Sequence, residues 1–378
     1  MKQLLIMIFL FFVTYIRAQE DFSKKEFEKV IKTIKQTSLY QLTDSEIYEG
    51  AVRGVLQKLD EKNQGAAKFK VNTLLIPEKK NFLDAELSGE FAGIGAVLKF
   101  DKDKGDRYPL VTEVLEGGAR DAGIQAGDEI IKIDDYLVTS AKHISDVILK
   151  IRGKEGSKVK LSIVRNGDLM VKNVLRKKII YKNVDLSFPR PQLGMLRIKS
   201  FNNKTYDETK EALMKMKKSE PSSCMVDLRA NSGGALQEGV KTLELFAHKG
   251  DLLFQVEKNN GKYEIFKATQ DGIDVNCKWA VLVDGDTGSF AEVFSNALKA
   301  LKQATVIGNP TQGKNSVESV LNLDNGYAIK YTIGKIHGPQ GQQWEQNGIR
   351  PDVFINFESG DPSKENHLVN SAINFLVR

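Results

Sequence analysis

The segment DGDTGSFAEVF, residues 284–294, places a serine where an apolar run gives way to a helical pattern. Ser289 followed three residues later by Glu292 fits a capping box, in which each side chain satisfies a backbone donor at a helix start. The same position suits a nucleophile, because a helix N-terminus offers free amides and a positive partial charge. Local physics favours the cap, but the two roles do not exclude each other.

A pair of glycines lies in a second strand-to-helix junction, within SSCMVDLRANSGGALQEGVKTLELF. Gly233 and Gly234 follow a buried strand pattern and precede a helix whose apolar residues have helical spacing. Backbone amides at such a junction point outward and suit an oxyanion. The alternative is that a tight turn between strand and helix simply needs glycine. The pattern by itself leaves both open.

Other catalytic chemistries find little support in the sequence. None of the four histidines lies in a segment resembling a catalytic loop, which argues against a Ser–His–Asp triad. No His/Cys/Asp/Glu cluster has metal-ligand spacing, and the segment GNPTQGKN has the wrong glycine spacing for a phosphate-binding loop. We therefore predict neither a metal nor a cofactor.

The elements that would position these residues form an α/β pattern from about residue 190 onward. A strand (MLRIKSF) and an amphipathic helix (TYDETKEALMKMKKS) precede the two strand–turn–helix segments described above. Residues 21–60 carry helical periodicity and predict two or three helices. Residues 61–88 are polar and irregular, and we interpret them as a linking arm.

Between these regions, a β-rich unit begins at FAGIGAVLKF. Its order of strand, short helix, strand, helix and strand resembles a PDZ domain over about ninety residues. The resemblance implies that Gly93, Ile94 and Gly95 offer backbone N–H groups to a chain-terminal carboxylate, with the peptide added as a strand. The simpler interpretation is a turn between strands. His143 and Arg152 flank the helix that would line the groove. Either could touch the peptide, and the interpretation we favour is that both are simply exposed.

Together these motifs resemble the carboxyl-terminal processing proteases, also called tail-specific proteases, which use a serine and a lysine. The family pattern has DLRNNPGG, a serine with glutamate three places on, and TFGKG about 25 residues beyond that serine. This chain has DLRANSGG, GSFAE, TQGKN and, later, NGIRPDV. The resemblance implies that Ser289 is the nucleophile and Lys314 the general base. It also implies an oxyanion hole from backbone N–H groups at Gly233 or Gly234 and at Phe290.

The family resemblance predicts a multidomain α/β fold with four segments. These are a signal peptide (1–18), an N-terminal helical region with a linking arm (19–88), a PDZ domain (89–178) and an α/β crotonase-like serine protease core (179–378). The implied function is an exported serine endopeptidase that binds protein C-terminal tails and hydrolyses peptide bonds with a Ser–Lys dyad. The alternative is a catalytically impaired peptide-binding protein of the same fold. The N-terminal helices are either a dimerisation element, as the family suggests, or a cover for the core.

One departure from the family concerns Glu318, which stands where the family usually has a glutamine that orients the amine. A lysine acts as a base only when neutral, and about 4 to 5 kcal/mol separate an ordinary lysine from one half neutral at pH 7. A carboxylate about 4 Å away would favour the ammonium by about 4 kcal/mol. In a straight strand the two residues would instead be about 13 Å apart. We expect Glu318 to stay protonated, to turn away, or to hold Lys314 in a resting ion pair.

The N-terminal segment MKQLLIMIFLFFVTYIRA predicts a secretory signal cleaved after Ala18, and therefore a periplasmic or extracellular protein. Its apolar run is shorter than the roughly 20 residues that span a bilayer. Removing Lys2 and Arg17 with the signal lowers the formal net charge from +6 to +4. Lysines and acids alternate without a basic stripe, so we expect protein or peptide substrates with free C-terminal tails and no nucleic acid.

Two cysteines are present, Cys224 and Cys277, each just before an apolar strand-like run. They can pair in an oxidising compartment if the two strands are neighbours, and otherwise they are ordinary buried thiols. The sequence leaves both alternatives open.

Overall fold

The computed structural model describes residues 22–62, 71–100, 105–141, 143–179, 182–355 and 362–376. The predicted signal peptide, residues 1–18, lies outside this description. The chain divides into two compact units, Met1–Leu59 and Asp60–Arg378. Among the described residues, no helix is long and apolar enough to cross a membrane.

The first unit is helical, as the periodicity predicts, with α1 (Lys24–Thr37) and most of α2 (Asp44–Lys62). At the start of α2, the backbone N–H of Thr43 donates to Glu46 Oε2 at 2.7 Å, and the backbone N–H of Glu46 donates to Thr43 Oγ1 at 3.2 Å. This is a reciprocal capping box. No residue of α1 is buried, although the helix is strongly amphipathic.

The interpretation of residues 61–88 as an irregular arm is wrong for its second half. Strand β1 (Thr73–Leu75) is followed directly by a twelve-residue helix, α3 (Pro77–Ser88). Pro77 stands in the first turn, where its missing N–H costs nothing, and Gly89 ends the helix in the left-handed conformation. The apolar residues of α3 do not gather on one face, so periodicity alone does not reveal the helix.

The PDZ-like region is an antiparallel sheet with strand order β3-β4-β5-β7-β8 and a short β6 paired with β5. Val159, Leu161 and Ile163 alternate along β7 and are fully buried in a separate hydrophobic core. A two-stranded ribbon of β2 and β9 lies at its boundary. The elements are β2 (Phe91–Gly93), β3 (Ala96–Lys99), β4 (Leu110–Val114), α4 (Gly118–Asp121), β5 (Glu129–Ile133), β6 (Tyr136–Leu137), a 3-10 turn (Val138–Ser140), α5 (Ile144–Ile151), β7 (Lys158–Arg165), β8 (Asp168–Leu175) and β9 (Lys177–Ile179).

The centre of the protease-like region is a six-stranded sheet with order β10-β11-β12-β15-β16-β19. All its neighbours run parallel except β10, which is antiparallel to β11. One face packs on a large core that includes Phe201, Phe290 and Phe294, and the other face packs on the last helix. The elements are β10 (Val184–Arg190), β11 (Leu193–Ile198), α6 (Thr205–Lys218), β12 (Ser223–Asp227), α7 (Leu236–Glu244), β15 (Lys278–Val283), α8 (Phe290–Lys302), β16 (Thr305–Gly308), β19 (Val353–Phe354) and α9 (Pro362–Leu376).

A second, antiparallel sheet has the order β1-β18-β13-β14, with β17 also paired to β18. Its further strands are β13 (Leu252–Lys258), β14 (Tyr263–Lys267), β17 (Ser316–Asn322) and β18 (Ala328–His337). Strand β17 begins two residues after Lys314 and carries Glu318, so this sheet supports one side of the predicted site.

Cys224 and Cys277 form a disulfide, with their Cα atoms 5.9 Å apart. Cys224 lies on β12, and Cys277 immediately precedes β15, its parallel neighbour. Of the two alternatives that the sequence left open, the structure has the paired one.

Candidate active site

Three loops meet at the carboxyl ends of the neighbouring parallel strands β12, β15 and β16. The loop after β12 contains Gly233 and Gly234, the loop after β15 contains Ser289, and the loop after β16 contains Lys314. Crevices outside the carboxyl ends of strands are the usual ligand sites of open α/β sheets. The fold therefore gathers residues that lie 80 positions apart in the sequence.

Ser289 occupies the N-cap position of α8, as the capping pattern predicts. Its backbone has φ 53° and ψ −124°, a conformation that residues other than glycine rarely adopt. Strained backbone of this kind persists only where the surrounding structure holds it, and it concentrates at functional sites. Ser289 is half-buried, whereas its neighbour Phe290 is buried.

The carboxylate of Glu292 connects the Ser289 loop to the Lys314 loop. Its Oε2 accepts the backbone N–H groups of Ser289 and Lys314, both at 2.9 Å. Its Oε1 accepts the backbone N–H of Gly313 at 2.7 Å and the hydroxyl of Thr311 at 2.5 Å. A single oxygen atom thus holds the two predicted catalytic residues side by side through their backbones.

Burial dominates the electrostatics of Glu292. Desolvation raises the pKa of its carboxyl from 4.5 to about 7, although the four donors that point at it act in the opposite direction. The sequence indicated Glu292 only as a helix-capping partner. Its role in connecting the two loops depends on the approach of residues 311–314, which no local sequence pattern predicts.

The loops after β12 and β15 are also hydrogen-bonded to each other. Asp284 accepts the backbone N–H of Ala230 at 3.1 Å, and burial raises the pKa of its carboxyl. The hydroxyl of Thr287 donates to the carbonyl of Leu228 at 2.9 Å. The backbone N–H of Gly288 donates to the carbonyl of Asn231, also at 2.9 Å. The sequence analysis did not identify these residues. The only indication in the sequence was the group of polar residues directly after each apolar strand.

The glycine pair lies against the serine, and both glycines have positive φ angles, 104° and 149°. A Cβ atom at Gly233 would stand 2.8 Å from Ser289 Cβ, and one at Gly234 would stand 2.1 Å from the carbonyl oxygen of Phe201. These positions therefore require glycine for close approach as well as for backbone conformation. The Gly233 N–H already donates to Asn231 Oδ1 at 2.9 Å. Within the described chain, the N–H groups of Gly234 and Phe290 donate no hydrogen bond.

Lys314 and Glu318 form an ion pair with 3.1 Å between Nζ and Oε2, and their side chains are 19% and 14% exposed. The distance between Lys314 and Glu318 expected for a straight strand does not apply, because Lys314 lies in the loop before β17. The hydroxyl of Ser316 donates to the other Glu318 oxygen at 2.6 Å. Of the three expectations for Glu318, the structure has the resting ion pair.

Gly93, Ile94 and Gly95 line a cavity of about 800 Å³ that extends from the PDZ-like sheet to the protease-like region. Its far wall includes Arg229 and Ser232, the latter directly before Gly233. The predicted carboxylate loop and the residue before the glycine pair therefore line the same cavity.

The expectation that Arg152 is simply exposed is wrong. Its side chain is 17% exposed, and its guanidinium lies 3.8 Å from the ring centre of Phe91 and 2.7 Å from Glu86 Oε1. Stacking of a guanidinium on an aromatic face depends on the position of β2, which sequence spacing does not show. Arg152 also lines the cavity.

Comparison with known proteins agrees with this architecture. Residues 192–355 match the model of peptidase family S41, and residues 85–164 match the PDZ domain model. The chain is 31% identical over 335 residues to the carboxy-terminal processing protease CtpA of Bacillus subtilis, covering 87% of this chain and 68% of that protein. The chain belongs to the carboxy-terminal processing proteases of peptidase family S41. It is a serine-type peptidase with a PDZ domain.

Further relatives of the family show the same extent of similarity. A probable CtpA-like serine protease of Staphylococcus saprophyticus is 31% identical over 337 residues, which are 88% of this chain and 65% of that protein. This chain thus spans about two thirds of the length of these relatives.

Two solved structures share the fold. The photosystem II D1 C-terminal processing protease superimposes with a TM-score of 0.56 at 24% identity, covering 86% of each chain. A putative S41 protease from Bacteroides fragilis gives a TM-score of 0.54 at 16% identity, covering 82% of this chain and 87% of that one. The multidomain α/β prediction is confirmed.

Proposed function

We propose that this family member is an exported endopeptidase that binds protein C-terminal tails through its PDZ domain and cleaves them with Ser289 and Lys314. The observation that carries the proposal is the Glu292 carboxylate, whose Oε2 accepts the backbone N–H groups of both residues at 2.9 Å. A carboxylate that only caps a helix would not need to bind the loop that contains Lys314 as well.

In the proposed reaction, the neutral Lys314 amine accepts the hydroxyl proton of Ser289 while Ser289 Oγ attacks the carbonyl carbon of the scissile bond. The resulting ammonium then protonates the leaving amine as the C–N bond breaks. Water, deprotonated by the same amine, hydrolyses the acyl-enzyme ester and regenerates Ser289. The Glu318 ion pair describes the protonated state of Lys314 that precedes this cycle.

The amides of Gly234 and Phe290 are the better candidates for the oxyanion hole. Two N–H groups aimed at the developing oxyanion give the largest single stabilisation in acyl transfer. The Gly233 N–H is engaged with Asn231, which leaves this residue the role of allowing close approach to Ser289. Phe290 directly follows the nucleophile at the start of α8, where N–H groups have no partner within the helix.

Tail binding is supported by the cavity that begins at Gly93–Gly95 and reaches the residues beside the glycine pair. A free chain terminus held at the PDZ loop would leave the upstream residues to run toward Ser289. An amidated tail lacks the carboxylate, so we expect it to raise KM more than it changes kcat.

Export is supported by two features that do not depend on each other. The first 18 residues have the layout of a secretory signal, and Cys224 and Cys277 are disulfide-bonded. Disulfides persist in oxidising compartments such as the periplasm and the extracellular space.

The decisive experiment compares degradation of β-casein by the wild type, Ser289→Ala and Lys314→Met. We expect cleavage by the wild type and a loss of at least about 10³-fold in both variants, because neither nucleophile nor base has a substitute. The alternative, a peptide-binding protein without turnover, is favoured by the Lys314–Glu318 ion pair, which engages the amine of the predicted base. If the wild type binds free-tailed peptides but cleaves no faster than Ser289→Ala, the alternative is correct.

A further inference from the structure

The ion pair between Lys314 and Glu318 raises a charge problem for the proposed reaction. When Lys314 loses its proton, Glu318 keeps a negative charge on a side chain only 14% exposed. Removing one partner of a largely buried ion pair is costly, because the remaining charge is left without compensation. A second cation near Glu318 would remove this obstacle.

Lys330 on β18 is placed to supply that cation. In the β17–β18 register, Glu318 pairs with Thr332 and Val320 pairs with Lys330. Residues two apart on a strand share a face, so Glu318 and Lys330 are diagonal neighbours on one face of the sheet. Such neighbours lie about 7 to 8 Å apart, within the reach of a lysine side chain. Thr332, directly opposite Glu318, has a buried hydroxyl without a hydrogen-bond partner among the described residues.

Charged groups from three places face Lys330: Glu318 on β17, Lys314 before it, and Asp60 near the end of α2. Burial lowers the pKa of Lys330; the carboxylates of Glu318 and Asp60 oppose this change, and the Lys314 ammonium adds to it. Within the described part of the chain, no carboxylate oxygen lies within 4.0 Å of its ammonium. Lys330 therefore interacts with both members of the ion pair while its own charge is not held in a contact pair.

We propose that Lys330 is a positioning residue for Lys314 that takes over the Glu318 carboxylate when Lys314 becomes neutral. With Lys314 protonated, Lys314, Lys330 and Glu318 together carry one positive charge. After deprotonation, Lys330 and Glu318 form a neutral pair, and no carboxylate is left alone. Lys330 thus compensates for the charge of Glu318, which is the ion-pair partner of Lys314. This inference rests on the proposed role of Lys314 as the base.

The first test is the pH dependence of kcat/KM for a free-tailed peptide. We expect Lys330→Met to move the midpoint of the acidic, rising limb upward by about one pH unit, which is about a tenfold loss of activity below the midpoint. Lys330→Arg keeps the charge and should restore most of the wild-type profile. Lys335→Met is the matched control, because Lys335 is on the same strand but is paired with Glu345 at 3.0 Å. Thermal unfolding of each variant checks that the fold is intact.

The variant Glu318→Gln separates this role from a general effect of lysine removal. In the Glu318→Gln background no carboxylate can be left unpaired, so Lys330→Met should shift the midpoint by at most half as much as in the wild type. An equal shift in both backgrounds, or no difference between Lys330→Met and Lys335→Met, would overturn the proposal.

A second test needs no turnover and distinguishes failure of this inference from failure of the proposed function. The titration of Lys330 is followed by NMR of lysine labelled with ¹³C at Cε, with the signal assigned by its loss in Lys330→Arg. We expect Glu318→Gln to lower the Lys330 midpoint and Lys314→Met to raise it. If these shifts occur in a protein that does not cleave, only the proposed function fails. If the protein cleaves and neither variant moves the Lys330 midpoint, only this inference fails.

Discussion

At the scale of single residues, we expect the ion pair of Lys314 with Glu318 to influence the pH range of the proposed activity. A carboxylate 3.1 Å from the ammonium favours the protonated amine, which cannot act as a base. We therefore expect Glu318→Gln to move the acidic, rising limb of the kcat/KM profile to lower pH by about one unit or more. A profile that coincides with that of the wild type would show that Glu318 does not restrain the base.

Glu292 makes the folded state bind a proton more tightly than the unfolded state does. The pKa of its carboxyl is about 7 in the folded state, compared with 4.5 for the unfolded chain. The stabilisation that this difference gives is therefore complete below pH 4.5 and is lost as pH rises through 7. The loss amounts to about 3 kcal/mol, since each pKa unit is worth about 1.4 kcal/mol. Urea unfolding from pH 4.5 to 7.5 measures this dependence.

The variant Glu292→Gln isolates that contribution, because it removes the titration while keeping the side-chain shape. We expect the wild type to lose about 3 kcal/mol more than Glu292→Gln over this range. Glu264→Gln on β14 is the control, because this carboxylate is half exposed and pairs only at the surface with Lys258. Parallel curves for the wild type and Glu292→Gln would contradict the prediction.

At the scale of elements, the disulfide joins the beginnings of β12 and β15, whose other ends lead to the glycine pair and to Ser289. It closes a loop of 53 residues, for which chain entropy gives a stabilisation of about 4 kcal/mol. We expect the double variant Cys224→Ala/Cys277→Ala to lose about 2 to 4 kcal/mol of unfolding free energy. Activity well below the unfolding temperature should change little, because the parallel hydrogen bonds of β12 and β15 remain.

Urea unfolding with and without a reductant provides the control for the disulfide. The reductant should lower the stability of the wild type toward that of the double variant and should leave the double variant unchanged. Equal stability of reduced and oxidised wild type would show that the cross-link does not contribute.

At the scale of the whole molecule, α1 presents an apolar stripe to solvent. Phe27, Val30 and Ile34 are 38%, 43% and 39% exposed, and no residue of the helix is buried. A symmetric pair of chains would bury the same stripe on both copies, so we propose that this helix mediates a homo-oligomer. Sedimentation velocity should show self-association of the wild type and a monomer for Val30→Lys/Ile34→Lys. Lys32→Gln, on the opposite face of the helix, should behave as the wild type; a monomeric wild type would rule out this role for α1.

The sequence by itself determined the elements whose side-chain pattern is local. Ser289 and Glu292 indicate the start of α8, and the alternation of apolar and polar residues along β7 predicts a half-buried strand. The family resemblance of the motifs also implied Ser289, Lys314 and the glycine pair as a candidate site. The sequence did not predict helix α3, because its apolar residues do not lie on a single face.

Only the tertiary structure decided how these residues are arranged. The four donors that meet at Glu292 come from residues 289, 311, 313 and 314, and the diagonal pair of Glu318 and Lys330 depends on the register of two strands. The pairing of Cys224 with Cys277 likewise needs β12 beside β15. The physical reason is the same in each case: hydrogen bonds, ion pairs and disulfides depend on distances in space, which sequence separation does not encode.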